Sequence, residues 1–482
     1  MNLTRETQLG QVARWLTCSR ILLYPEEKPD FQIMRAYLGG RATLPSPKRT
    51  QQDAPEEQAN NEKSAEEGPV DEAIESDGSE DALETEIKSA QDSAALSRIT
   101  SRCDMSKQEA SRPIDPAKIS DGTILVTWYA TDDLENPQIC SFWPKFNVVF
   151  QMYQYVVVVY MGSAIYLASG PQFMEVFRAS QSVASLGLGL HVLGYGIGPL
   201  VLSPLSERPA IGRNPPYMIS CPLFVIISQP TAFVDDVHGF MVLRFLQGLF
   251  GSPCIATTSA SLGDTANLLH LSYLIMGLEI AGFIGPALGP ITAGFAIVVT
   301  GCHWFMWELS WASGPSFIIF LLFLPETSTP TVLYRRADRL RNLTGNPNIK
   351  SESETVQSIP SPSQLTYDAL VIPWKISTLD PAILLISMYT GLVYAVFYLF
   401  SEVCPLVFVD IYGMNLGQIG LVFLSVTIGV TMAGIFLFCF LHFYVNHRMR
   451  VKGFEGPEQW LLPAVVASFV IPVGLFIFGW CS

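Results

Sequence analysis

The chain has 482 residues and a net charge of −14, yet 49% of its residues are hydrophobic and only 15% are charged. Soluble domains carry about 25% charged residues, so this composition argues against a single soluble enzyme domain. The nine cysteines are scattered without a CxxC pair, so we predict neither a disulfide framework nor a metal site. The low basic content argues against nucleic-acid binding.

The negative charge is concentrated in one short stretch. Between Gln51 and Asp92 the sequence contains 15 acidic and two basic residues, whereas residues 146–482 contain 17 acidic and 13 basic residues among long apolar runs. We therefore divide the chain into a polar N-terminal tail, residues 1–145, and a membrane body. Residues 51–115 are rich in Glu, Asp, Ser and Gln and bury too little apolar surface to fold, so we predict disorder there.

Near the start of the tail, apolar side chains recur at helical spacing. They are Leu9, Val12, Trp15 and Leu16, with Arg14 between them. This pattern predicts a short amphipathic helix on a membrane surface.

The membrane body contains nine apolar stretches of about the length that a helix needs to cross a bilayer, roughly 20 residues. Prolines and glycines within them are compatible with helices in a membrane bundle, because neighbouring spans satisfy the freed backbone groups. The predicted spans are residues 147–169, 183–203, 215–234, 238–262, 271–300, 303–325, 382–401, 417–441 and 460–481.

Lysines and arginines in the loops predict the orientation. With a cytoplasmic N-terminus, the loops after spans 2, 4, 6 and 8 are cytoplasmic and contain eleven basic residues, whereas the opposite loops contain only Arg178. Because basic residues accumulate on the cytoplasmic side, we predict a cytoplasmic N-terminus.

The long loop at residues 326–381 separates six spans (146–325) from three (382–482). Four arginines, at positions 335, 336, 339 and 341, interleave with apolar residues after Pro330. We consider two interpretations, a basic amphipathic helix under the membrane and a solvated linker that carries the positive-inside charge. Six spans, a basic cytoplasmic linker and further spans are typical of a transporter built from two six-span halves.

Arg244 lies within predicted span 4, in the run Arg244-Phe-Leu-Gln-Gly248-Leu-Phe-Gly251. Arginine at membrane depth is costly and usually faces the bundle interior, a partner or water. One interpretation is that Arg244 couples proton movement by changing the pKa of a nearby acid. The other is a packing clasp to backbone carbonyls. Gly248 and Gly251 allow close helix approach in either case.

Two further motifs contain glycine and proline. In the loop after span 2, Glu207, Arg208, Gly212 and Arg213 form a tight turn with the composition of a charge-assisted latch between helices, although a solvated turn is the alternative. In span 5, small residues allow helices to approach and proline bends the helix. These residues are Gly285, Pro286 and Gly289.

Together these segments resemble the major facilitator superfamily, in particular the twelve-span drug:proton antiporters of fungi of the benomyl/methotrexate-resistance type. The loop at 203–214 resembles the family's gating motif, with Glu207 where Asp is usual. Arg244 to Gly251 resembles the span 4 motif, with Arg244 at the proton-coupling position. Gly285-Pro286 resembles the antiporter motif, with Ala281 and Pro290 in place of its flanking glycines. Further matches are Glu135-Asn136-Pro137-Gln138 and Pro325-Glu326-Thr327.

Other polar residues in the spans are candidates for the transport path. Glu402, at the end of span 7, is either a proton site or an interfacial acid. Glu279, in span 5, is either a proton or substrate ligand or a destabilising substitution. His191 either titrates or is a hydrogen-bonded packing residue. Three tyrosines either line an apolar pocket or simply pack. They are Tyr160, Tyr195 and Tyr273.

The fold class we predict is an all-α membrane protein with a complete six-span half, three spans of a second half and a disordered acidic tail. The resemblance implies a monomeric, proton-coupled exporter of hydrophobic drugs, toxins or secondary metabolites in the plasma membrane, without a cofactor or enzymatic activity. Because the family has twelve spans and the ninth ends near Ser482, the alternative is a truncated, non-transporting membrane protein or a regulatory fragment.

Overall fold

The computed structural model describes residues 3–17, 22–28, 31, 37, 112–119, 121–254, 256–300, 304–356, 362–452 and 461–481. The chain divides into one unit made of residues 1–37 and 112–482 and a second unit made of residues 38–111. The second unit, which includes most of the predicted disordered stretch 51–115, lies outside the described residues. That prediction therefore remains a prediction.

Each of the nine predicted spans coincides with a helix, and we number these helices as spans 1–9. Eight of them, all except span 3, are long and apolar enough to cross a membrane. Span 3 has polar ends and four prolines, which lower its hydropathy. In order, the helices are Phe142–Ala164, Gln181–Ser206, Asn214–Thr231, Val237–Gly251, Leu268–Thr300, Trp304–Phe323, Pro381–Pro405, Leu416–Cys439 and Leu462–Cys481. The predicted helical membrane body is confirmed.

Shorter elements connect the spans. The α-helical ones are Leu3–Glu6, Gln8–Leu16, Gly170–Phe177, Ala256–Thr265, Thr329–Thr344, Glu352–Val356, Pro362–Leu379 and Asn446–Lys452. Among the described residues, 3₁₀ turns lie at Pro25–Glu27, Ile165–Ser169 and Ser252–Cys254, and π-helical turns lie at Leu406–Ile411 and Phe440–Val445. The α-helix of span 4 ends at Gly251 rather than at the predicted residue 262, because Pro253 cannot donate a helical hydrogen bond.

Spans 1–6 pack around one hydrophobic core in which several large aromatic side chains are fully buried. Tyr155, Tyr217 and Phe320 form a ring cluster there, with centroids 5.2–5.9 Å apart. Spans 7 and 8 bury only 11% of the residues in their most apolar stretch, and span 9 buries none. The first six spans therefore form the packed body on which spans 7–9 rest.

Spans 5 and 8 make the main contact between the first six spans and the last three. A methyl group added at Gly420 would lie 2.8 Å from the Pro290 carbonyl oxygen, and one added at Gly294 would lie 2.6 Å from the Leu416 carbonyl oxygen. Because both distances are shorter than real Cβ contacts, the two helices touch backbone to backbone at these glycines.

The described parts of the polar tail pack against the central loop. We call this assembly the extramembrane body; it consists of the described residues among 3–37, 112–140 and 324–356. Two short strands, Ile124–Leu125 and Ile349–Lys350, pair in parallel within it. A small apolar core surrounds them, formed by Tyr37, Ile124, Val126, Ala337, Leu340 and Ile349. The described tail thus packs into a small core, although its residues 112–140 are mostly turns and irregular backbone.

The helix Thr329–Thr344, which we call the central-loop helix, differs from both interpretations given above. Its Ala337 and Leu340 are buried in the small apolar core with Tyr37 and Ile124 of the tail, and its Val332 is also buried. Arg336 is also completely buried. A solvated linker would expose these side chains, and a membrane-surface helix would direct its apolar face outward. Two of its arginines, Arg336 and Arg339, instead pair with acids of the tail.

Arg336 is the centre of a buried ionic cluster. Its guanidinium contacts Asp133 at 2.8 Å, Glu135 at 2.7 Å and Glu26 at 3.4 Å. Arg339 adds contacts to Glu26 at 3.3 Å and to Glu135 at 3.7 Å. The buried Arg5 also pairs with Glu135, so three of the described carboxylates share three guanidinium groups in this cluster.

The pKa values in this cluster shift accordingly. Burial alone would lower the pKa of Arg336, but the ion pairs with Asp133 and Glu135 raise it above its ordinary value. Burial would raise the pKa of Asp133, but the adjacent Arg336 lowers it. The pKa of Glu135 is raised by burial and by the neighbouring Glu26, against the opposing effect of Arg336.

We predict that Arg336→Met destabilises the extramembrane body by about 3–5 kcal/mol, because it removes the cation of the buried Asp133 and the central cation shared by Glu26 and Glu135. Thermal unfolding and limited proteolysis of the purified protein in detergent measure this loss. The control is Arg341→Met on the same helix, whose partner Glu354 is partly exposed, with an expected loss of about 0–1 kcal/mol. Equal losses for the two variants would contradict the prediction.

Candidate functional site

The loop between spans 2 and 3 is held by acidic side chains from two directions. Arg213 donates from Nε to Oδ2 of Asp264 at 3.0 Å, and Asp264 lies on the helix Ala256–Thr265 that follows span 4. The backbone N–H groups of Arg213 and Asn214 donate to the carboxylate of Glu326, at 3.0 and 3.5 Å. The loop is therefore tied both to the end of span 4 and to the segment after span 6.

Glu326 is the fully buried partner of this loop. It also accepts from the backbone N–H of Ser328 at 3.2 Å and lies 3.8 Å from Arg335. Burial raises the pKa of Glu326, and these neighbours oppose the shift only in part. Gly212 has a φ of +90°, and a Cβ there would lie 2.5 Å from Oε2 of Glu326. Glycine at 212 thus satisfies both the backbone conformation and the close approach.

The structure revises the predicted latch. Arg213 does join two helical elements through a carboxylate, but that carboxylate is Asp264 and not Glu207, whose side chain is exposed. Arg208 contributes its backbone carbonyl, which accepts from the Gly212 N–H at 2.8 Å. Asp264 is not among the residues predicted above, and its position near the end of the helix Ala256–Thr265 is the one local signal for it.

Arg244 is completely buried in span 4, and backbone carbonyls of two neighbouring segments satisfy its guanidinium. It donates to the carbonyl oxygens of Gly162 at 2.9 Å, Ser163 at 3.3 Å and Gly187 at 3.4 Å. It also donates to Oε1 of Gln247 at 3.3 Å. Span 4 is thereby fastened to the end of span 1 and to the first half of span 2.

This geometry matches the packing-clasp interpretation of Arg244. In the part of the chain that the structure describes, no carboxylate forms an ion pair with Arg244. The guanidinium carbon instead lies 5.2 Å from the centre of the Tyr166 ring. A role of Arg244 in proton coupling remains a prediction.

Glycines bring spans 2 and 4 into backbone contact beside Arg244. A Cβ at Gly248 would collide with the His191 carbonyl oxygen, and one at Gly194 would collide with the Phe245 carbonyl oxygen. The His191 side chain is fully buried in this contact. Neither of its ring nitrogens has a hydrogen-bond partner among the described residues. His191 is therefore a buried packing residue, but the hydrogen bonds of that interpretation are not seen among the described residues.

The span 5 motif makes a second close helix contact. Methyl groups at Gly285 and Gly289 would lie 2.7 Å from the Val157 carbonyl oxygen and 2.8 Å from the Ile165 nitrogen. Pro286 lies between these glycines, inside the continuous helix of span 5. The motif thus packs span 5 onto span 1.

Aromatic side chains connect the first six spans to span 7. The Tyr160 and Tyr195 rings have centroids 5.8 Å apart. The hydroxyl of Tyr195 lies 3.0 Å from that of Tyr398 on span 7. Phe283 on span 5 stacks on Tyr394 at 6.0 Å. Of the predicted path residues, Tyr160 and Tyr195 are therefore brought together where two groups of spans meet.

Glu402 also connects spans 2 and 7. Its Oε2 accepts from the Ser185 hydroxyl at 3.0 Å. The carboxylate faces a cavity of about 200 Å³ that is also lined by Tyr166, Gln181 and Pro405. Glu402 thus lies on the same interface as the Tyr195–Tyr398 pair, and not only at the outer end of its helix.

Glu279 lines a different cavity, of about 510 Å³, between spans 5 and 8. The other side chains of its lining are nearly all apolar, including Met276, Phe283 and Leu437. Tyr273 does not join the tyrosines at the span 7 interface. Its hydroxyl accepts from Nδ2 of Asn446 at 2.8 Å. This bond joins the start of span 5 to the segment that follows span 8.

Residues 155–482 match the family model described as Major Facilitator Superfamily. The chain belongs to this superfamily. The family consists of transporters rather than enzymes, so the membrane helices, close glycine contacts and interfacial cavities of this major facilitator chain are features of a transport protein.

Its relatives are fungal transporters. It is 48% identical over 368 residues to the MFS-type transporter pyvG of Aspergillus violaceofuscus, covering 76% of this chain and 68% of that protein. It is 36% identical to the cycloheximide resistance protein of Candida maltosa, covering 74% of this chain and 66% of that protein. It is 34% identical to the multidrug transporter FLR2 of Candida glabrata, covering 80% of this chain and 64% of that protein. The chain thus spans about two thirds of these relatives' length.

We predict that Gly194→Ala destabilises the superfamily core, because the added methyl group must displace the backbone of span 4. The expected loss is about 1–3 kcal/mol, as for overpacked interiors. Gly196→Ala on the same helix is the matched control, since nothing lies within 4 Å of a Cβ there. Thermal unfolding of the two purified variants measures the difference. A Gly194→Ala variant as stable as Gly196→Ala would contradict the contact.

Proposed function

We propose that the chain exports hydrophobic compounds, such as drugs, toxins or secondary metabolites, in exchange for protons by alternating access in the plasma membrane. The observation that carries the proposal is that acidic side chains lie at two interfaces between the first six spans and the last three. Spans 2 and 7 are joined by two polar pairs, Tyr195–Tyr398 and Ser185–Glu402. Spans 5 and 8 line an open, largely apolar cavity, and the exposed Glu279 lies at it.

The predicted orientation assigns each of these features to the outer or the cytoplasmic half of the bundle. With a cytoplasmic N-terminus, Ser185 and Glu402 lie in the outer half of the bundle, whereas Glu279 lies in the half of span 5 nearer the cytoplasm. The arrangement then corresponds to an inward-facing state, with the outer half closed by the Ser185–Glu402 pair and the middle of the bundle closed by the Tyr195–Tyr398 pair. A substrate enters the apolar cavity from the inner side, and opening of the pairs releases it outside.

The two cavity acids are the proposed proton carriers. Carboxylates at membrane depth are costly, and their charge depends on what is bound beside them. Protonation of Glu402 weakens its acceptance of the Ser185 hydroxyl bond, because a charged acceptor binds a donor more strongly. A proton that enters from outside and binds Glu402 thereby favours opening of the Ser185–Glu402 pair. The names of the drug-resistance relatives support a hydrophobic substrate for the large apolar cavity.

We predict that Glu402→Gln and Glu279→Gln each lower transport by roughly 5- to 150-fold, the usual range of a coupling free energy. The assay uses sealed vesicles containing the purified chain, an imposed pH gradient and radiolabelled cycloheximide. Glu175→Gln is the control, because Glu175 is an exposed acid on the short helix after span 1. Its transport rate should equal that of the unmodified chain.

Two outcomes separate the proposal from its alternatives. Cycloheximide transport that persists after the pH gradient is collapsed would contradict proton exchange while leaving export intact. Vesicles with the chain that accumulate no more cycloheximide or other hydrophobic drugs than empty vesicles would favour the non-transporting interpretation.

A further inference from the structure

The N-terminal helix, Gln8–Leu16, has one buried face and one exposed apolar face. Gly10 and Arg14 are buried on the inner face. The outward side chains are large and apolar. They are Leu9, Val12, Trp15 and Leu16, with 48%, 50%, 80% and 68% of their surface exposed. Exposed clusters of this kind mark a surface that binds something apolar.

This helix is held rigidly, so the exposure does not come from a loose chain end. Thr7 caps it by accepting from the Gly10 N–H at 3.2 Å. Arg14 donates to both carboxylate oxygens of Glu27, at 2.6 and 2.8 Å. Gln11 donates to the Tyr24 hydroxyl at 2.9 Å. The inner face is fixed by polar bonds, and these bonds keep the apolar face turned outward.

The helix begins at the level where a membrane span ends. Thr7 forms a β-bridge with Pro325, two residues after span 6 ends at Phe323, and the helix contacts span 6 itself. Asn147 on span 1 donates to the Phe323 carbonyl at 2.9 Å, so the ends of both spans lie at this level. Phe142 is 70% exposed there. The apolar helix face therefore continues the lipid-facing surface of the spans.

We propose that Leu9, Val12, Trp15 and Leu16 insert into the boundary between headgroups and acyl chains and anchor the extramembrane body to the bilayer. Tryptophan is the residue that best suits this boundary. The only charged residue of the helix, Arg14, faces inward and is paired with Glu27. The recognition is accordingly hydrophobic, and it does not require anionic lipids.

The test is photocrosslinking of the full chain in lipid vesicles. p-Benzoyl-phenylalanine replaces Trp15 in one variant and Asn348 in the control; Asn348 is an exposed polar position of the same body. Mass spectrometry then detects lipid adducts. We expect a phospholipid adduct at position 15 and none at position 348. Because Trp15 is 80% exposed, the replacement does not disturb the packing.

Lipid composition and native membranes supply the remaining comparisons. We expect the same adduct yield at position 15 in phosphatidylcholine vesicles with and without phosphatidylserine, since insertion is hydrophobic. An adduct that forms only with phosphatidylserine would overturn this mode of binding. In native membranes, a protein adduct at position 15 in place of lipid, or equal lipid labelling at positions 15 and 348, would overturn the proposal. None of these results depends on transport activity.

Discussion

The buried guanidinium of Arg336 is the interaction on which the extramembrane body depends. Desolvating a charge is costly, and the cost is recovered only when its partners are close and well oriented. Asp133 and Glu135 come from the segment before span 1, and Glu26 comes from the start of the chain. One side chain thus joins three distant parts of the sequence, and the same body supplies the Glu326 carboxylate that holds the loop between spans 2 and 3.

Ion pairs hold the extramembrane body together, whereas glycines that allow close helix contact hold the membrane spans together. Spans 2 and 4, 1 and 5, and 5 and 8 approach until their backbones touch. Without a hydrophobic force between helices in lipid, such contacts and a few internal hydrogen bonds supply the cohesion. Arg244 belongs to this system, because its donors end on carbonyls rather than on carboxylates. The spans 2 and 7 interface is different, since its contacts are single polar pairs that can open without loss of the packed core.

The sequence predicts the helices well because membrane crossing imposes a minimum apolar length that can be read locally. It also identifies Arg213, Arg244 and the span 5 glycines, which occur in recognisable runs. Asp264 and the acids of the tail escape prediction for a physical reason. A charged residue in a polar segment looks solvated until its partner is known, and the partner of Asp133 lies 203 positions away. Burial of such pairs is decided by tertiary packing, which local composition does not contain.

The acidic stretch is bounded on both sides by the extramembrane body. Tyr37 is buried in its small apolar core, and the Arg112 N–H donates to the Thr131 hydroxyl at 3.2 Å. Residues 38–111 are therefore an insertion between two anchored points and not a free end. After a proteolytic cut within them, the first 37 residues would still be held by ion pairs to Arg336 and Arg339, by the β-bridge between Thr7 and Pro325 and by the buried Tyr37.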